Sequence, residues 1–341
     1  MSGNRQRDTY TRPATPRRRL LTAAALAPVL AGVGAGAGAT TARAAPGGKA
    51  GADGGRSTEP VPTTLADWRG VAKALGRPGD LLRGVMYHTP FPRGDLHVVS
   101  YGVTVSPGLA LGSHVSFVRY DDGSVMLMGD LVLTERELQR TTDALQKHRI
   151  EQTALHKHLL AQTPDVWWTH VHAHGHDPVD LARRLRAALD CTGTPPAEPP
   201  APPQPVDLDT AGIDAALGAK GRRIAGVYNC VFIRRETIVD NGMVLPPGLG
   251  STTAFNFQPL GDGRAALNGD FAMVAGEVQH VLKALRRGKI SIVELHNHGL
   301  TDEPRLFFTH FWAVDDAVKL ARALRPAVDA TNVTATGEGA G

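Results

Sequence analysis

From Val85 to Leu133 the apolar residues fall in short runs with period two, the mark of half-buried strands. The runs are Val85 to Phe91, Leu96 to Val105, Val115 to Tyr120 and Val125 to Leu133, and Asp121-Asp122-Gly123 joins the last two as a hairpin turn. Then the period changes. Thr134-Glu135-Arg136-Glu137 sets Thr three residues before Glu, as in a capping box, and Leu138, Thr141, Thr142 and Leu145 follow at helical spacing to about His148. A strand through His158, a turn near Pro164 and a strand through His172 come next. A second helix opens at Asp177-Pro178, with Asp as N-cap, Pro in the first turn, and Val179, Leu181, Leu185 and Leu189 on one face. Strand, helix, strand, strand, helix is a ferredoxin-like split β-α-β core, here with extra strands before it.

The pattern is repeated at an offset of 140 residues. Pro107-Gly108-Leu109 returns as Pro247-Gly248-Leu249, Gly129-Asp130 as Gly269-Asp270, Glu137 as Glu277, and Ile150 as Ile290. After one deletion Leu181-Ala182-Arg183 recurs as Leu320-Ala321-Arg322. One register held over so many positions is an internal duplication. The expected fold is therefore α+β: two tandem homologous repeats, each a mainly antiparallel sheet with two helices, packed as a pseudo-two-fold pair in the manner of a fused homodimer. The expected boundaries are repeat 1 at 65–191, a Pro-rich linker at 192–206, repeat 2 at 207–330 and a flexible tail at 331–341, with a disordered leader at 46–64.

Charge changes the picture only at the N-terminus. The chain carries a formal net charge of +4, but residues 1–45 hold seven arginines and one acid, leaving 30 basic and 32 acidic residues beyond them, a net of −2. A slightly acidic body gives no electrostatic case for nucleic acid. Pro16-Arg17-Arg18-Arg19-Leu20-Leu21, an apolar Ala/Gly/Val/Leu run to Ala39 and Ala42-Arg43-Ala44 read as a twin-arginine-type signal peptide over residues 1–45, cleaved before Ala45. The expected product is secreted or associated with the cell wall, with no membrane span after cleavage and no cysteine at the cleavage point for a lipid anchor. Cys191 and Cys230 can pair under oxidising conditions or remain two free thiols.

Candidate chemistry rests on histidine. Of the 14 histidines, three positions carry His in both halves: His156 with His296, His158 with His298, and His170 with His310. Side chains alternate along a strand, so His296 and His298 share a face, and a hairpin return brings His310 beside them, roughly 5–8 Å apart at Cβ. Three imidazoles at that range suit a transition metal ion such as zinc, copper, iron or manganese. One or two ions are expected, one triad per repeat. His172, His174 and His176 extend the face of His170, and the repeated Asp130 and Asp270 are placed to orient ring N–H groups. Glu294 shares the parity of His296 and is the one candidate acid/base group; its counterpart is Ala154. Metal-dependent hydrolysis is the enzymatic reading. The alternative is a metal-free binding or structural module of the cell envelope, its histidines in a buried polar network, taking an unidentified small-molecule or envelope ligand. Trp167, Trp168, Phe307, Phe308, Phe311 and Trp312 flank the histidines and read as core. G-x-S-x-G, P-loop, G-x-G-x-x-G and H-E-x-x-H patterns are absent.

The phrases GDLVLTEREL, ALHKHLL, VELHNHGLTDEPRLFFTHFW and DDAVKLARAL resemble the LppY/LpqO family of bacterial exported proteins over nearly the whole chain beyond the leader. That resemblance implies a duplicated domain of unknown function. The second half fits better, since the first has Lys157 in place of Asn and Thr163-Pro164-Asp165 in place of Glu-Pro-Arg. If one triad alone is competent, the resemblance favours the second.

Overall fold

A computed structural model describes residues 57–199 and 205–336. The signal-peptide reading, the first part of the leader, the centre of the Pro-rich segment and the end of the tail, 337–341, lie outside them. Repeat 1 runs α1 (Arg69–Leu75), β1 (Asp80–Leu82), β2 (Met86–Pro92), β3 (Val98–Ser100), β4 (Val103–Val105), β5 (Gly112–Arg119), β6 (Val125–Thr134), α2 (Glu135–Lys147), β7 (Glu151–His156), β8 (Gln162–Thr163), β9 (Val166–Gly175) and α3 (Pro178–Leu189). Repeat 2 follows with α4 (Thr210–Leu217), β10 (Arg222–Ile224), β11 (Val227–Arg234), β12 (Val239–Asp240), β13 (Met243–Val244), β14 (Thr252–Gly261), β15 (Arg264–Val274), α5 (Ala275–Arg287), β16 (Ser291–His296), β17 (Leu306–Asp316), α6 (Ala317–Val328) and β18 (Val333–Ala335).

The main sheets have the matching orders β1-β2-β5-β6-β9-β7 and β10-β11-β14-β15-β17-β16, antiparallel at every pairing. Because β9 lies between β6 and β7, the β6-α2-β7 unit is a split β-α-β, and β15-α5-β16 is its copy. Alternation along β6 explains the layers. Leu127, Leu131 and Leu133 point into a core with the helices, whereas Met126, Met128, Asp130 and Val132 point toward the other repeat. In β15, Leu267, Phe271 and Met273 meet their own helices, while Ala266 and Ala272 join apolar clusters shared by both repeats. The result is helices, sheet, sheet, helices. Two apolar clusters lie between the sheets, one around Trp168, Val132 and Trp312, the other around Met126, Phe308 and Ile238. Among the described residues no helix is long and apolar enough to cross a membrane.

Several elements depart from the side-chain pattern. The run Leu96 to Val105 is a hairpin of two short strands, turned at Tyr101-Gly102 where both φ values are positive. Each repeat has a third, short helix, α1 or α4, with Val71 and Leu75 or Ile213 and Leu217 buried. Residues 57–64 are not a featureless leader: Val61 N–H donates to Arg119 O (2.9 Å) and Thr63 N–H to Gly84 O (2.8 Å). The tail likewise continues as β18 on β11. These segments are held by backbone hydrogen bonds at sheet margins, which leave no trace in hydrophobic periodicity. Cys191 and Cys230 are both free thiols, the latter buried.

The repeated Gly-Asp pairs have a steric cause. A Cβ at Gly129 would stand 2.4 Å from His114 O and 2.6 Å from Val115 Cγ1, and one at Gly269 would stand 2.1 Å from Ala254 O. Gly129→Ala is therefore expected to destabilise the protein by about 1–3 kcal/mol through overpacking. Thermal unfolding checks this; an unchanged midpoint would show that the strands separate freely.

Candidate metal centre

The residues that bear the repeated histidines meet at the pseudo-two-fold axis. β7 and β16 lie next to each other there, and each carries a bulge, between Gln152 and Ala154 and between Ile292 and Glu294. His156 and His296 end these strands and stack on each other at 4.1 Å between ring centroids. His170 and His310 come from β9 and β17, opposite Asp130 and Asp270. His158 and His298 were expected on strands but lie just past the strand ends. Their backbones are clamped by the other repeat: Asn268 Nδ2 donates to His158 O (2.6 Å), and Thr153 Oγ1 donates to His298 O.

The triads are interleaved rather than separate. His158 packs on His310 at 3.7 Å and His298 on His170 at 3.9 Å, so each repeat completes the other's group. All six recurring imidazoles thus form one cluster, in place of the two expected sites. Nitrogens of His156, His170 and His296 lie within 4.8 Å of one another, as do those of His156, His158 and His310. Glu294, His296 and His310 form a third such group. His156 Nε2 and His158 Nε2 are 2.9 Å apart. Without metal this is a hydrogen bond between the two rings. Two nitrogens on one tetrahedral ion about 2.1 Å away would be about 3.4 Å apart, so a small ring movement would let both share a metal.

The surroundings set the protonation states. His310 Nδ1 lies 3.0 Å from Gly269 O and His298 Nδ1 3.2 Å from Gly250 O. Each fits a ring N–H donating to a carbonyl, which leaves the Nε2 lone pair free for a ligand. The Gly129 backbone occupies the matching place beside His170. Five of the six rings keep at least one buried nitrogen without a hydrogen-bond partner. Glu294 Oε1 stands 2.6 Å from His296 Nδ1 but without hydrogen-bond alignment, so both atoms stay unsatisfied. Asp130 Oδ2 approaches His158 Nε2 at 3.3 Å, and Asp270 Oδ2 approaches His298 Nε2 at 3.9 Å. Trp168 and Phe308 stack on His158 and His298 as the matched walls of the site.

Burial holds the imidazoles neutral. Desolvation drives His156, His158, His298 and His310 well below the ordinary value and brings His170 and His296 down to about 4. Desolvation also lifts the Asp270 carboxyl to about 7 and that of Glu294 to about 8, each with a further push from Asp130. The signs give a pH optimum for the metal-free protein. Below about pH 6.5 the unfolded imidazoles bind protons that the folded ones refuse, so stability falls with acid, by up to about 1.4 kcal/mol per pH unit for each ring. Between about pH 6.5 and 8 the imidazoles are neutral in both states, and the two raised carboxyls lose stability as pH rises. Six rings outweigh two carboxyls, so the thermal midpoint of chelator-treated protein is expected to peak near pH 6.5. A flat profile from pH 5 to 8 would contradict these burial effects.

A cleft of about 480 Å³ between the repeats reaches His158, His170, His298, His310, Asp130 and Asp270. Its walls differ: His88, His114 and Ser116 line one side, Asn229, Asn256 and Asn268 the other. These residues were not singled out in the sequence because the two halves carry different side chains there. His172, His174 and His176 do not thicken the cluster. His172 turns to Asp240 (3.4 Å), and His176 is exposed.

A family model described as Domain of Unknown Function (DUF1259) matches residues 69–191 and again 211–330. No curated protein matches the chain. Among solved structures, the chain is similar to the crystal structure of a trimeric bacterial microcompartment shell protein, PduB, at 11% identity over 72% of this chain and 86% of that one. The TM-score is 0.18, too low to carry any argument.

Proposed function

We propose the function from the site itself, because the chain belongs to the family described as Domain of Unknown Function (DUF1259), carries that domain twice, and inherits no activity from the description. The protein is a transition-metal-binding protein with one composite centre assembled by both repeats. The observation that carries this is the convergence of six buried or half-buried imidazoles, five with an unpartnered buried ring nitrogen. A metal-free polar network would pair those nitrogens, since each orphan costs about 1–3 kcal/mol. An all-imidazole donor set suits zinc, copper or iron better than manganese. The reaction class is metal-dependent hydrolysis, in which a bound ion lowers the pKa of water. Glu294, whose carboxyl is raised by burial to about 8 in the metal-free protein, contacts His296 and is the candidate acid/base group at the edge of the centre. The cleft admits a small polar substrate from the side of His158 and His298.

Residues 1–45 carry the twin-arginine-type leader, in keeping with the resemblance to the LppY/LpqO exported proteins, and that route delivers proteins already folded around their metal. Elemental analysis of protein purified without affinity tag or chelating column tests the centre. About one or two equivalents of zinc, copper or iron per chain is the expected result for this ligand set. Absence of metal, with uptake no tighter than that of a His-rich peptide, would leave a metal-free module.

A further inference from the structure

Beside the six-imidazole centre lies a second group of potential ligands that shares no residue with it. His172 and His174 follow His170 along the interface face of β9, opposite Met128 and Met126. Asp240 ends β12, whose hairpin with β13 reaches from repeat 2 onto repeat 1, where Ile238 and Leu245 pack against Met126 and Met128. One ligand atom from each of His172, His174 and Asp240 lies within 4.8 Å of the others. His172 and Asp240 are 2% and 1% exposed, and His174 is half-buried.

The polar atoms here are aimed but not satisfied. His172 Nε2, His174 Nε2 and Asp240 Oδ2 are all buried without a hydrogen-bond partner. The carboxylate is nonetheless fixed in place, because Thr301 Oγ1 donates to Asp240 Oδ1 at 2.6 Å. Among the described residues the ion-pair contact of Asp240 is with His172 alone, and at 3.4 Å between Nδ1 and Oδ2 it lacks the geometry of a hydrogen bond. A buried carboxylate with no lysine or arginine beside it is costly unless a cation stands there. The duplication isolates this group further. At the equivalent positions repeat 2 has Trp312 and Val314, and repeat 1 has Ser100.

We propose that His172, His174 and Asp240 form a second divalent-metal site, one that clamps the β12–β13 hairpin of repeat 2 onto β9 of repeat 1. Two imidazoles and one carboxylate select zinc, iron(II) or manganese(II) over calcium or magnesium, which take all-oxygen shells, and over copper(I), which prefers sulfur. The half-buried His174 leaves one side of the site open to water or a fourth ligand.

Cobalt(II) added to the chelator-stripped protein is the probe, read by its visible absorption and by bound cobalt after gel filtration. Asp240→Asn and His174→Gln are each expected to lose about one equivalent and its absorption bands, because either change removes one of only three protein ligands. His296→Ala is expected to keep that equivalent while losing the metal of the six-imidazole centre. If Asp240→Asn does not fold, His174→Gln decides, since its side chain is on the rim. Unchanged cobalt content and spectrum in the folded variants would overturn the proposal, as would a wild type that takes up none. Cobalt that persists in His296→Ala but is lost in Asp240→Asn would support this site even with the proposed function refuted.

Discussion

Changing either His156 or His296 to alanine is expected to remove all metal from the central cluster, not half of it. Two independent triads, one per repeat, would each survive a lesion in the other. The geometry here forbids that separation, since His156 belongs with His170 and His296 in one ligand group and with His158 and His310 in another. His296 in turn touches His156, His170, His298 and His310. Losing a residue that orients a ligand already costs about 10–100-fold in metal affinity, and losing a ligand costs at least that. Metal content of tag-free His156→Ala and His296→Ala, beside the wild type, reads the outcome. Retention of half the central metal in each variant would restore the picture of two separate sites.

Arg93→Ala is expected to be the most damaging change away from the centre, at about 3–5 kcal/mol, because it leaves a buried carboxylate uncompensated. Arg93 is 1% exposed and Glu137 5%. All five guanidinium N–H groups are used: on Asp95 twice, on Glu137 twice and on the Val132 carbonyl. Glu137 also accepts from Thr134 N–H at the start of α2 and from Gly193 N–H beyond α3. One ion pair therefore ties together a strand, a helix start and the exit of the repeat. Arg234 is built the same way on Glu236, Glu277 and the Ala272 carbonyl, and Glu277 accepts from Asn332 N–H. Denaturant midpoints of Arg93→Ala and Arg234→Ala measure the effect, and the double change Arg93→Met with Glu137→Leu is expected to recover most of it. A loss below about 1 kcal/mol in the single variants would mean that solvent reaches the carboxylates.

The duplication and the split β-α-β core were legible because both are written in side chains, the first as a register and the second as a change of period at Thr134. The recurring histidines were legible for the same reason. Their meeting across the axis was not, since periodicity says which residues share a face of one sheet and nothing about which sheet that face meets. Arg93 and Arg234 escaped notice although Glu137 and Glu277 did not: they are 141 residues apart, one out of register with their partners. Asp240 escaped because a search for repetition discards residues that occur once, and its counterpart is Ser100. The hairpin of β3 and β4 read as one strand because both arms are apolar and the Tyr101-Gly102 turn is short.

A centre that straddles the axis has a genetic consequence. In a dimer of identical chains every substitution appears twice around such an axis, so a carboxylate introduced on one side is also introduced on the other. With both halves on one polypeptide that constraint is gone. Glu294 stands beside the imidazoles in one half while Ala154 holds the matching place in the other, and His88 faces the cleft where its counterpart is Asn229. With the copies joined, one wall of the cluster carries a carboxyl while the opposite wall carries a methyl group, an asymmetry that no pair of identical subunits can encode.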